Sequence, residues 1–171
     1  NCQNLEVLSL TFNKLTGSIP KEVLTIPTFS KGLYLKSNSL TGLIPAEVGN
    51  MRNLESIDVS MNKLSGEIPS TLGDCQELRG LSLGQNFLQG SIPTSLRSLR
   101  GIEKLDISKN NLSGKIPAFL QDFRYLRYLN LSFNNFEGNL PILGIFRNAS
   151  EVSVIGNNKL CGGNPEMHLP A

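Results

Sequence analysis

The sequence predicts a right-handed α/β solenoid with a parallel concave β-sheet, and three observations carry that prediction. The first is a fixed period. The stretch LESIDVSMNKLSGEIP (Leu54 to Pro69) returns as LRGLSLGQNFLQGSIP (Leu78 to Pro93) and as IEKLDISKNNLSGKIP (Ile102 to Pro117), each shifted by 24 residues. The second is an asparagine that keeps this period: Asn13, Asn38, Asn62, Asn86, Asn110 and Asn134 are spaced 25, 24, 24, 24 and 24 apart. The third is a set of constant offsets from it. Two residues on come Leu15, Leu40, Leu64, Leu88, Leu112 and Phe136; four on come Gly17, Gly42, Gly66, Gly90, Gly114 and Gly138; seven on come Pro20, Pro45, Pro69, Pro93, Pro117 and Pro141.

The pattern L-x-x-L-x-L-x-x-N-x-L at a period in the twenties is that of a leucine-rich-repeat solenoid. Six repeats over residues 1–143 therefore form one domain, followed over 144–171 by a partial last strand and an incomplete cap. The L-x-L pairs (Leu8/Leu10, Leu33/Leu35, Ile57/Val59, Leu81/Leu83, Leu105/Ile107, Leu129/Leu131) alternate with polar residues, the period of a half-buried strand. A full coil separates successive strands, so they run parallel in one sheet. The six asparagines are expected to form a buried ladder on backbone groups where the chain leaves the sheet. Glycine fits a bend that a side chain would obstruct, and proline sits where no ladder donor is needed.

In chain order, repeat one runs from Leu5 to Pro20 with KEVLTIPTF as its return. Repeat two carries one extra residue, placed in Ser30–Lys31–Gly32 as a bulge on the approach to the strand. The returns AEVGNMRNL, STLGDCQEL and TSLRSLRGI are expected to hold a helical turn burying Val48/Met51, Leu72 or Leu96/Leu99. The tract GxIP, with a β-branched residue before proline, favours extended backbone, so additional short strands are expected there. Repeat six substitutes Phe136 and Leu140, after which Val152 and Val154 mark one last strand and Gly156–Asn157–Asn158 and Leu160–Cys161 close the stack.

Composition narrows the function. With 39% hydrophobic but only 6% aromatic residues, the core is aliphatic, and a net charge of +2 supplies no field for nucleic acid. The longest nearly apolar run, Leu140 to Phe146, is too short to span a bilayer. The start, NCQNLEVL, is no signal peptide. Because Cys2 and Cys75 share a repeat slot, residue 1 falls inside a repeat, and a chain without an N-terminal cap reads as a piece of a longer array. Three coils at about 4.8 Å each separate those cysteines by about 14 Å, too far for a disulfide. Both read as small buried hydrophobes. Cys161, in the Gly-rich tail, reads as half of a cap disulfide with a partner beyond Ala171.

No catalytic set can be built: His168 is the single histidine and lies in the tail, and metal-ligand spacing is absent. No cofactor is expected. Asp58 and Asp106, two coils apart, read as polar face positions because Ser82 and Asn130 share their slot. Binding is the better candidate. Among the outward columns of the sheet, Tyr34, Lys36, Met61, Gln85, Lys104, Lys109, Tyr128 and Phe133 stand out from Ser and Gly as aromatic, cationic or long anchors. Three glycosylation sequons occur, at Asn111, Asn130 and Asn148. A sugar on Asn130 would restrict a ligand to repeats two to five or the lateral edge.

The fuller motif L-x-x-L-x-L-x-x-N-x-L-x-G-x-I-P-x-x-L-G is the plant-specific form of the repeat. With the closing GIFRNASEVSVIGNNKLCGGNPEMHLP (Gly144 to Pro170), the chain resembles the membrane-proximal end of plant leucine-rich-repeat receptor kinases, in the immune-receptor branch. The extra residue at Ser30–Gly32 is similar to that branch as well. The resemblance implies an ectodomain on the extracellular side of the plasma membrane that binds a peptide or protein ligand on the concave face. It also implies a leucine-rich-repeat co-receptor kinase as partner, a pairing of Cys161 with a later cysteine, and a transmembrane helix and kinase to follow. No nucleic-acid or membrane contact is expected within the chain, and no kinase motif occurs in it. Two other readings stay open: a free-standing inhibitor of pathogen cell-wall-degrading enzymes, and a structural or ice-binding role for the regular face.

Overall fold

The computed structural model describes residues 4–26, 28–167 and 169–170. Cys2 and His168 lie outside these residues. Two parallel sheets run the length of the coil. The first is built from the L-x-L segments, with β1 (Val7–Ser9), β3 (Gly32–Tyr34), β5 (Ser56–Asp58), β7 (Gly80–Ser82), β9 (Lys104–Asp106), β11 (Tyr128–Asn130) and β13 (Val152–Ser153) side by side in that order. The second contains β2 (Thr16–Gly17), β4 (Ser39–Gly42), β6 (Lys63–Glu67), β8 (Phe87–Gly90), β10 (Asn111–Lys115), β12 (Asn135–Asn139) and β14 (Lys159–Cys161). In the first sheet Gly80 pairs with Ser56 on one side and Lys104 on the other, and Leu81 with Ile57 and Leu105, so the register follows the repeat. The fold is a leucine-rich-repeat solenoid.

The second sheet exists, but not where the GxIP tract placed it. In the six repeats its strands end at the glycine, as at Gly42 and Gly90, or one residue past it, as at Glu67 and Lys115, and Ile68 and Ile116 point into the core beyond them. The strand forms upstream because the backbone there meets a neighbour at the coil spacing, whereas the proline that follows has no N–H to offer. The glycine closes each strand at φ between 78 and 82° in all six repeats, a conformation costly for a side chain. The first five returns are 3-10 turns of five residues, such as Ala46–Asn50 and Ser70–Asp74, each entered from a proline, and too short for α-helix. They bury Val48, Met51, Leu72, Leu96 and Leu99, which join the strand residues in one aliphatic column.

The corner after each first-sheet strand is held by the asparagine. Asn86 donates from Nδ2 to the carbonyls of Val59 (3.1 Å), on the preceding coil, and Leu83 (3.0 Å), while its Oδ1 accepts from Leu64 N–H (3.0 Å). Asn62, Asn110 and Asn134 repeat this arrangement. A seventh rung, Asn157, donates to Leu131 and Val154 and accepts from Phe136 N–H, so the chain makes a further coil. Of the six asparagines expected to be buried, Asn62, Asn86 and Asn134 are, Asn38 and Asn110 are half-buried, and Asn13 departs furthest. It is exposed and bonds only Leu10 and Thr11 of its own coil, because no described coil stacks outside it. Among the described residues no buried side-chain polar atom lacks a partner.

Repeat two absorbs its extra residue without breaking the sheet: the N–H groups of Ser30, Lys31 and Gly32 all converge on the Glu6 carbonyl. Just before each strand, Glu6, Lys31, Glu55, Arg79, Glu103 and Arg127 alternate in sign across six coils. Two ion pairs are closed along this column, Lys31 with Glu6 and Arg79 with Glu103 (3.3 Å). The hydrogen bond that the Lys31 ammonium donates to the Glu6 carboxylate raises its pKa above the ordinary value.

Candidate ligand-recognition face

The outward side chains of the first sheet stand at positions the strands fix. Tyr34 ends β3, Lys104 opens β9 and Tyr128 opens β11, while Lys36 and the corner residues Met61, Gln85, Lys109 and Phe133 follow the strands. Six corner residues share a left-handed backbone: Phe12, Ser37, Met61, Gln85, Lys109 and Phe133 have φ between 52 and 57°. None is glycine or asparagine. Each pays about 1–2 kcal/mol for that conformation, and the conformation turns its side chain outward. Phe12 is 74% exposed and Phe133 50%.

Three lysines lie over rings on the next or preceding coil. Lys36 Nζ is 5.9 Å from the Phe12 ring centre, Lys104 is 5.3 Å from that of Tyr128, and Lys109 is 5.9 Å from that of Phe133. Each is worth about 0.5–1 kcal/mol at an exposed site. Two of these pairs bridge the same two coils, so Lys104, Lys109, Tyr128 and Phe133 form one group. Met61 sits apart on β5's coil and accepts a hydrogen bond from Ser37 Oγ (3.3 Å). Gln85 stands exposed between the two, and Tyr34 is half-buried with its ring over Gly32, where a Cβ would collide with it.

Between the paired groups lies a polar floor that the sequence encodes as Asp-x-Ser or Asn-x-Ser. Asp58 Oδ1 accepts from Ser60 N–H (3.0 Å) and Oγ–H (2.5 Å), and Asp106 does the same with Ser108 (3.0 and 2.7 Å). Asn130 repeats the arrangement with Ser132 (3.2 and 2.6 Å) and donates from Nδ2 to Tyr128 Oη (3.3 Å). These oxygens are consumed locally. The two carboxylates do not converge, and no three metal-ligand side chains cluster among the described residues.

The other sequons differ from Asn130. Asn111 opens β10, is exposed, and accepts through Oδ1 from Asn135 Nδ2 (2.7 Å), while Asn148 is exposed in the turn before β13. Cys161, half-buried at the end of β14, donates its thiol to Asn139 Oδ1 (2.9 Å). Cys75 is buried, bonds the Val48 carbonyl (3.2 Å), and burial pushes its thiol up to about 11.

Family models described as leucine rich repeat match residues 4–25, 31–51, 53–75 and 76–136. The chain belongs to the leucine-rich-repeat family. It is 45% identical over 59 residues to the LRR receptor-like serine/threonine-protein kinase EFR of Arabidopsis thaliana, a match covering 34% of this chain and 6% of that protein. The Arabidopsis receptor kinase HAESA, solved with the peptide hormone IDA and the co-receptor SERK1, superposes with a TM-score of 0.76 at 31% identity, over 92% of this chain and 30% of that one. A plant ice-binding protein reaches the same TM-score of 0.76 at 28% identity, over 91% and 49% of the two chains. This chain thus spans a small part of its receptor relatives, and its fold alone does not separate a peptide reader from an ice binder. The surface chemistry has to do that. No described helix is long and apolar enough to cross a membrane.

Proposed function

We propose that this chain is part of the extracellular recognition module of a plant receptor-like kinase, reading a peptide or protein ligand and a leucine-rich-repeat co-receptor through its concave face. The observation that carries this reading is the group on coils five and six, where Lys104 and Lys109 lie over Tyr128 and Phe133 beside a polar floor. Exposed rings and cations are the side chains that anchor protein interfaces, and a row of uneven chemistry fits a specific ligand better than a repeating lattice. The ligand-bound HAESA structure, similar over nearly the whole chain, supports the same assignment.

The reading requires Asn130 to be bare, since its amide donates to Tyr128 and a glycan there would cover the group. Replacing Tyr34, Lys109 and Phe133 together by alanine in the full receptor is expected to weaken ligand or co-receptor binding by at least about tenfold, measured by surface plasmon resonance. Unchanged affinity would reject the face. Mass spectrometry of plant-expressed protein should find sugar on Asn111 and Asn148 and none on Asn130.

A further inference from the structure

We propose that the return side of the solenoid holds a second site, a cleft between the arcs Thr94–Ser98 and Ala118–Asp122 that binds an anionic oligosaccharide. Two devices close neighbouring arcs elsewhere. One is glycine: a Cβ on Gly49 would lie 2.8 Å from the Thr71 carbonyl oxygen, and one on Gly73 would strike the Ser95 backbone. The other is a hydroxyl rung, Thr71 Oγ1 to the Ala46 carbonyl (2.7 Å) and Ser95 Oγ to the Ser70 carbonyl (2.6 Å). One coil further on, both are lost. Arg97 occupies the glycine slot and Phe119 the hydroxyl slot. The arcs, tightly packed in the preceding coils, part here and leave a cavity of about 740 Å³.

The lining defines the ligand. Arg97 and Arg100 come from one coil and Arg124 from the next, with Asp122 between them and Phe119 and Tyr125 as ring surfaces. Tyr125 is 59% exposed. Neither ion pair among the described residues uses any of the three arginines. Residues 97–127 hold seven Lys and Arg against three Asp and Glu, a charge of +4 in a chain whose total is +2. Guanidinium groups grip carboxylate or sulfate oxygens in bidentate fashion. Rings accept the apolar face of a pyranose, and Asp122 accepts hydroxyl hydrogens. An acidic peptide would satisfy the arginines and offer N–H groups to Asp122, but it has no ring face to lay on Phe119 and Tyr125. A saccharide bearing one oxyanion per ring or two uses every group present. The volume matches a small-ligand site rather than a flat interface.

Calorimetric titration of the chain with a uronate oligosaccharide of about four rings, a length suited to a cleft of about 740 Å³, tests this. Binding is expected, weakening as salt rises from about 0.05 to about 0.3 M. A sulfated oligosaccharide of equal length identifies which oxyanion is preferred, and tighter binding of either acid form than of a neutral glucan supports the site. Arg97→Gln with Arg124→Gln should weaken binding by about tenfold or more. Arg52→Gln with Arg147→Gln, which lie outside the cleft, should leave it unchanged. Arg97→Gly, which restores the packing glycine without threatening the fold, should also lose binding. Equal binding of a glutamate tetrapeptide, equal binding of the neutral glucan, equal loss in both double variants, or no binding to the acid saccharides would overturn the assignment. The concave face plays no part in any of these readouts.

Discussion

Asn86 and Asn13 share a slot and differ in what surrounds them. Asn86 is 6% exposed and satisfies groups on three segments, whereas Asn13 is exposed and bonds its own turn. Asn86→Ala strands buried backbone partners and is expected to lower unfolding free energy by about 1–3 kcal/mol. The same change at Asn13 should cost well under about 1 kcal/mol, because water replaces the lost contacts. Equal losses in urea denaturation would contradict this account of the ladder. Cys75 gives a second test through pH. Burial raises its folded pKa to about 11, above the ordinary thiol value of 9.0, so the neutral thiol is favoured in the folded state. That contribution is complete below the unfolded value and is lost as pH climbs toward the folded one. Stability should therefore fall between about pH 9 and about 11, and Cys75→Ala should flatten that part of the profile. A wild-type curve that is already flat there would sink the assignment. The ladder was legible in the sequence because asparagine recurs at fixed intervals. Asn157 escaped because its coil is a residue short, replaces Leu with Val152 and Val154, and places Leu160 three residues on instead of two.

At the level of elements, the two sheets were legible to different degrees. Strict L-x-L alternation placed the first within a residue. The second was placed too late, since proline and isoleucine signal extended backbone but not which residues find a hydrogen-bonding neighbour. The left-handed corner was hidden, because Phe, Ser, Met, Gln and Lys carry no mark of positive φ. The alternating column from Glu6 to Arg127 was readable but only once slots were compared across coils rather than along them. Glu103→Lys would put three cations in succession at Arg79, residue 103 and Arg127. With the Arg79 and Glu103 side chains 62% and 48% exposed, the penalty should be modest, about 0.5–1 kcal/mol at low salt, and should vanish near about 1 M salt. A penalty that persists at high salt would mean that packing, not charge, holds this column.

Across the whole molecule, each coil touches only its neighbours, so stability is passed along the stack rather than shared by one centre. Leu83 is fully buried in the middle coil. Leu83→Ala should cost about 2–5 kcal/mol, and hydrogen exchange should accelerate first in β5, β7 and β9, with β11 and β13 holding longer. Uniform acceleration would indicate a single cooperative block. The return cleft shows why surface function was harder to read than fold: it arises from what Arg97 fails to do for the next coil and Phe119 for the preceding one, an absence visible only when two turns are seen together. The bent corners carry a last consequence. Six residues occupy a backbone shape in which glycine or asparagine would rest more easily, and neither was kept at any of them. Sturdiness and message therefore pull against each other along this rail, and a relative hardened against heat by easing those corners would surrender, letter by letter, what its surface can say.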